Sequence, residues 1–200
     1  MILAFDTSSA ACTAALFDGG GACIARRDEI IGRGHSERLV PMLDELLDGR
    51  LPETIIVGVG PGSFTGIRVA IAAAHGLALG WDARLSGMSS LALIAAGSPG
   101  DGPLAVVVSG GHGELFVQEF KQGEAVNDLA NLTPASAATA TSAKLVIGSG
   151  AAQLVAARGW GEAREALPCA ADALKLAPTL RSLAPKPIYA RAPDAKARAA

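Results

Sequence analysis

The chain has 200 residues, half of them apolar but only 4% aromatic, and a net charge of −2. That length suffices for one large domain or two smaller units, with a core built from Ala, Val, Leu and Ile. The charge balance gives no general affinity for nucleic acid, and the absence of any CxxC pair among Cys12, Cys23 and Cys169 argues against a disulfide framework or a structural zinc site.

The opening Met1-Ile2-Leu3-Ala4-Phe5-Asp6 has no basic segment and reaches a charge at once, so no secretory signal is expected. A strand is predicted over 2–5, ending at Asp6-Thr7-Ser8-Ser9, and a second over 13–17. Asp18-Gly19-Gly20-Gly21 then makes a hairpin turn into a third strand from 22 to 25. Residues 26–34 read as polar and irregular. Ser36 is the expected N-cap of a helix in which Leu39, Met42, Leu43, Leu46 and Leu47 recur at helical spacing. Pro41 interrupts that helix or opens its regular part, because its ring nitrogen has no hydrogen to donate. A strand over 54–59 follows.

That strand feeds Gly58-Val59-Gly60-Pro61-Gly62-Ser63-Phe64-Thr65-Gly66-Ile67-Arg68, and an Ala-rich helix over 67–79 leaves it. Four glycines around one proline let the backbone approach an anion or another segment closely. Two common phosphate loops are excluded. A Walker A loop needs Lys and then Ser or Thr after its last glycine, whereas Ile67-Arg68 follows Gly66. The Gly-x-Gly-x-x-Gly dinucleotide pattern meets Thr65 or Ser63 where its third glycine belongs. An ordinary tight strand-to-helix turn with Thr65 as N-cap is the simpler reading. The helix over 67–79 is too short to cross a bilayer and reads as buried.

A short strand over 84–87 and a helix over 89–96 come next. Residues 97–103 are rich in Gly and Pro and mark a boundary. Beyond it the pattern restarts, with strands over 104–108 and 115–120 around a Gly110-Gly111-His112-Gly113 turn and a strand over 144–147 ending in Gly148-Ser149-Gly150. Helices are expected over 151–158 and 172–180, then an extended stretch over 185–192. Two α/β units with a cleft between them, 1–97 and 98–200, are the expected organisation.

Three segments, Ala4-Phe5-Asp6-Thr7-Ser8, Gly60-Pro61-Gly62-Ser63-Phe64-Thr65-Gly66-Ile67-Arg68 and Pro187-Ile188-Tyr189-Ala190-Arg191, together resemble the bacterial TsaB (YeaZ) family. The middle segment is the specific one. The resemblance implies the two-lobed actin/Hsp70/sugar-kinase-like fold, of ribonuclease H-like topology. It further implies a non-catalytic role in adding threonylcarbamoyl to adenosine 37 of tRNAs. The implied partners are a TsaD-like catalytic subunit and a TsaE-like ATPase, with a homodimer through the same surface when the partner is absent. No cofactor, no catalytic residue and no membrane contact are implied, and the location is cytoplasmic. Contact with tRNA is indirect or weak. A basic stretch from Arg181 (Lys186, Arg191, Lys196, Arg198, against Asp194) reads as a solvated tail.

In this frame Asp6-Thr7-Ser8 stands where an actin-like site turns around phosphate, with Asp6 and Thr7 as its expected site residues. The loop residues Gly60, Pro61, Gly62, Ser63, Phe64, Thr65, Gly66 and Arg68 form a nucleotide-like or structural loop. His35, Arg38, Leu39, Met42, Leu46, Ile71, Ala74, His75 and Ala78 are the expected partner interface, through helices dense in small residues. The sequence departs from the family at Val108-Ser109-Gly110-Gly111-His112-Gly113-Glu114, where the family shows Asp-Ala-Arg before its Gly-Glu. Ser109 cannot act as an aspartate toward hydrated Mg²⁺. His35, His75 and His112 are far apart and form no HxxxH, so no metal site is expected. They give no serine-nucleophile constellation either. A small-molecule kinase of the same fold, using ATP, is the alternative. It needs an acidic residue in the second unit, where Glu114, Glu119, Glu124 and Asp128 are the carboxylates at hand. A redox or metal protein is a third reading, disfavoured by the cysteine and histidine spacing.

Overall fold

Strands β1 (Ile2–Asp6) and β2 (Ala11–Phe17) are apolar on both faces, and every residue in them except Ile2 is buried. Such strands belong at the centre of a sheet. The computed structural model describes residues 1–98 and 100–188. In it β3 (Cys23–Ile30), β4 (Thr54–Gly58) and β5 (Arg84–Met88) complete a five-stranded sheet of order β3-β2-β1-β4-β5. The β1–β2 and β2–β3 pairs are antiparallel, while β1–β4 and β4–β5 are parallel.

The second sheet repeats this plan. β6 (Leu104–Ser109) pairs antiparallel with β7 (Leu115–Lys121), which carries β8 (Glu124–Ala125) and β9 (Ala130–Leu132). On its other side β6 runs parallel to β10 (Leu145–Ile147), and β10 to β11 (Glu162–Arg164). Two successive sheets of one ribonuclease H-like topology are the actin-like frame expected from the sequence.

Helices α1 (His35–Leu47) and α2 (Phe64–Trp81) cover one face of the first sheet through Leu39, Met42, Leu46, Ile67, Ala70 and Ala74. The short helix α3 (Ser90–Ala96) is apolar all round and lies between the sheets. Around it Phe17, Ile56 and Met88 of the first sheet share one core with Val106, Phe120 and Ile147 of the second. Helices α4 (Pro134–Ala140) and α5 (Ala151–Arg158) cover the far face of the second sheet.

Several elements differ from expectation. β3 continues through Arg26-Arg27-Asp28-Glu29, because an edge strand paired by its backbone tolerates exposed charges. α1 starts after Gly34, in left-handed conformation, and not at Ser36, whose hydroxyl donates to Glu37. It runs unbroken through Pro41, held by its buried stripe. The helix expected over 172–180 is split into a 3₁₀ turn (Ala170–Lys175) and α6 (Pro178–Arg181), as Pro178 cannot continue a helix. This returning segment packs on β1, β2 and β5 of the first sheet, although the sequence division assigned it to the second unit. Tyr189, Ala190 and Arg191 of the third family-like segment, and Asp194, Lys196 and Arg198, lie outside the described residues.

Candidate functional site

The β1–β2 turn, the loop after β4 and the start of α3 meet at Asp6. Its side chain is fully buried, and both oxygens are taken by the chain itself. Oδ1 accepts from the Ser8 amide at 2.6 Å and the Ser8 hydroxyl at 2.7 Å. Oδ2 accepts from the Ser90 hydroxyl at 2.5 Å, and Ser90 Oγ in turn accepts from the Gly60 amide at 3.1 Å. The Ser90 amide donates back to the Gly60 carbonyl at 3.0 Å. Burial pushes the Asp6 carboxyl above its ordinary range, opposed by hydrogen bonds from Ser90 and Ser8. Three donors around a carboxylate with no exposed oxygen make a latch.

The loop is pressed onto the turn. Thr7 Oγ1 donates to the Gly66 carbonyl at 2.7 Å, and the Ser63 amide to the Ser8 carbonyl at 2.6 Å. The Gly60–Pro61 peptide is cis. A side chain at Gly62 would overlap the Ser8 carbonyl, and one at Gly66 the Thr7 carbonyl. The glycines therefore serve backbone-to-backbone approach within the chain. Their placement leaves the loop amides of Gly60 and Ser63 committed to internal acceptors.

The second sheet repeats the device with different residues. Ser109 donates from its amide to Ser149 Oγ at 3.2 Å and from its hydroxyl to the Ser149 carbonyl at 3.3 Å. The Gly150 amide donates to the Val107 carbonyl at 2.9 Å. Ser109 ends β6 as Asp6 ends β1, and Glu114 accepts from Asn131 Nδ2 at 2.7 Å.

α2 begins one turn earlier than expected and is capped by Ser63, whose Oγ accepts from the Gly66 amide, while Thr65 lies inside the helix. Phe64 is 66% exposed and carries the Arg68 guanidinium 3.2 Å from its ring centroid. At 18 residues α2 is longer than expected, and by length and composition alone such an apolar helix reaches across a membrane core. Here its inner face lies on the first sheet, yet only Gly66, Ile67, Ala70, Ile71 and Ala74 are buried. Ala72, His75, Gly76 and Leu79 face outward, Leu79 at 87% exposure.

The expected interface residues divide accordingly. Leu39, Met42, Leu46 and Ala74 are core residues of the first unit, and Ile71 is nearly so. They form the inward stripe of their helices, so no partner can touch them. His35 is also buried, with Nε2 3.2 Å from the Ala11 carbonyl. Ala78 is half-buried and His75 exposed, with His75 Nε2 donating to the Pro185 carbonyl at 3.2 Å. Arg38 bridges Glu29 at 2.6 Å and Glu45 at 2.8 Å. The guanidinium's hydrogen bonds hold both carboxyls below their ordinary value. Among the described residues no group of three His, Cys, Asp or Glu side chains converges as metal ligands. Of the latch donors, Ser8 lies in the turn singled out from the sequence, without a role of its own, and Ser90 was not expected. Ser90 is 84 positions from Asp6, and no local pattern joins them.

Residues 28–137 match the family model of TsaD, tRNA N6-adenosine threonylcarbamoyltransferase. The chain is 33% identical over 131 residues to the tRNA threonylcarbamoyladenosine biosynthesis protein TsaB of Escherichia coli, covering 62% of this chain and 56% of that protein. To the Bacillus subtilis protein of the same name it is 32% identical over 137 residues, covering 61% and 56%. The chain thus spans about half the length of the curated relatives it matches. Among solved structures, a Pseudomonas aeruginosa protein described as similar to peptidase YeaZ superposes with a TM-score of 0.80 at 30% identity, covering 95% of this chain and 99% of that one. YeaZ from Pseudomonas aeruginosa gives 0.79 at 28% identity, covering 94% and 98%. With matching topology, matching length in the solved relatives and the glycine loop in place, the chain belongs to the TsaB (YeaZ) family.

Proposed function

We propose that this chain acts in the biosynthesis of threonylcarbamoyladenosine in tRNA as a docking subunit without chemistry of its own. It pairs with a TsaD-like catalytic subunit and helps recruit a TsaE-like ATPase, in the cytoplasm, with little direct contact to tRNA. The observation that carries the reading is α2. An apolar helix that buries only five of its eighteen residues leaves a smooth outward face of Ala72, Gly76 and Leu79, flanked by Phe64 and His75. Small side chains permit close approach of a second helix, and continuous apolar surface of this kind marks an interaction site. The same face supports a homodimer when the catalytic partner is absent.

The latch supports the non-catalytic part. In an actin-like nucleotide site the first-strand aspartate faces phosphate-bound Mg²⁺, whereas Asp6 is enclosed and bonded to Ser8 and Ser90. The kinase alternative needs an acidic group at the matching turn of the second unit, where Ser109 stands tied to Ser149. ATP turnover by the isolated chain at an ordinary enzymatic rate would favour the kinase. For the docking reading, the chain is mixed with a TsaD-like subunit and a TsaE-like ATPase, and the mixture is run on gel filtration with and without ATP. Co-elution is expected; three separate peaks under both conditions reject it.

A further inference from the structure

We propose that residues 183–188 form a strap that couples the C-terminal part of the chain to the glycine loop and to α2, so that the strap's attachment sets the conformation of the loop. This goes beyond the docking reading and does not depend on it. After α6 the chain reaches the open edge of β5. There the Gly87 amide donates to the Leu183 carbonyl at 2.7 Å and the Leu183 amide returns to Gly87 at 2.9 Å. Ser86 Oγ donates to the Arg181 carbonyl at 3.1 Å just before it. An edge that would otherwise offer unpaired backbone groups is thereby covered from within the chain.

The strap then reaches both elements that shape the site. The Ile188 amide donates to the Val59 carbonyl at 2.9 Å, while the Val59 amide donates to Met88 at 3.0 Å. Val59 is thus held from both sides immediately before Gly60, the residue joined to the Asp6–Ser90 latch. Pro185 accepts from His75 Nε2 on the outward side of α2, across 110 positions of sequence. Gly87 is where the three pieces crowd together. A methyl group there would meet Val59 Cγ1 at 2.7 Å and the Ala184 carbonyl at 2.8 Å. A strap bonded to β5, to the root of the loop and to α2 can neither lift nor shift without disturbing the other two.

Amide hydrogen exchange on the whole chain tests this, comparing wild type with Gly87→Ala and His75→Ala. Both variants are expected to speed exchange at Leu183 and Ile188. They should also speed it at Gly60 and Ser63 by about fivefold, the scale of one lost hydrogen bond. Leu3 and Ala14, at the sheet centre, should be unaffected. His75 is an exposed side chain, so His75→Ala decides the matter if Gly87→Ala does not fold. Faster exchange confined to Leu183 and Ile188 would overturn the coupling, and no change at the strap in either variant would overturn the strap itself.

Discussion

Alanine for glycine at two places in α2 should change stability in opposite directions. Gly66 is packed so that a new methyl would overlap the Thr7 carbonyl, part of the turn fixed by Asp6. To accommodate it the helix start must move outward. The move breaks the Thr7 hydroxyl bond to the Gly66 carbonyl and the Ser63 cap bond to the Gly66 amide. A hydrogen bond contributes about 1 kcal/mol net, a cap about 1 kcal/mol, and residual crowding roughly another 1–2 kcal/mol. Gly66→Ala should therefore cost about 3–4 kcal/mol, or roughly 6–16 °C in Tm for a chain of this size. Gly76 lies ten residues further along the same helix with nothing near its missing side chain. There alanine only restricts the unfolded chain and favours the helix, adding about 0.5–1 kcal/mol. Thermal melts and urea unfolding of the two variants measure both. If Gly66→Ala is neutral or stabilising, the loop is not clamped to the turn and the latch argument fails.

Asp6→Asn should remove a pH dependence. Burial raises the carboxyl in the folded state above its ordinary 3.8, so the stability it contributes is complete below that value. It is lost as pH rises through the folded-state value. Urea unfolding from pH 4 to 8 should show wild type losing ground to the variant as pH rises; a constant difference would mean that the carboxyl titrates alike in both states. Thiol reactivity should follow burial, since burial pushes the Cys12 thiol up to about 11, aided by the Glu29 charge. In the native protein a thiol reagent should label exposed Cys23 first and reach Cys12 only on unfolding, so equal native rates would contradict the core packing. Arg38→Ala should release Glu29 and Glu45 and raise both carboxyls toward their ordinary value, a rise that 1 M salt should reproduce in part in wild type. Carboxyl titration by NMR would detect no change if the bridge does not persist in solution.

Much of the frame was legible from residues. β1, β2, β4 and β6 are largely apolar because central strands are buried on both sides, and β7 keeps its buried positions Leu115, Val117 and Phe120 apolar; each was located to within two residues. β8, β9 and β11 are two or three residues long and none has a buried residue, so pairing with a neighbour and not composition creates them. α4 carried a readable signal, Thr133 as N-cap and Pro134 in the first turn, that was overlooked. The glycine loop was legible as a place of close approach, but what it approaches was not. Ser8 lies in a turn of ordinary composition, and Ser90 reaches Asp6 only through the packing of α3 between the sheets. The expected interface failed at Leu39, Met42 and Leu46 for a related reason. A stripe at helical spacing identifies the face that is buried, and one chain cannot tell its own sheet from a partner. In α2 the outward residues Ala72, Gly76 and Leu79 are themselves apolar, and only the structure shows them uncovered.

The central claim, that this chain works by docking through the outer face of α2, is tested most directly by titrating the labelled protein with a TsaD-like subunit and repeating the titration with Leu79→Glu. Leu79 is almost fully exposed, so the charge should leave stability nearly unchanged. Within an apolar contact it should weaken binding by more than about tenfold, since an unpaired charge is costly to bury. Saturable binding by wild type together with that loss is the predicted result. Absence of wild-type binding, or equal affinity for both proteins, would contradict the claim.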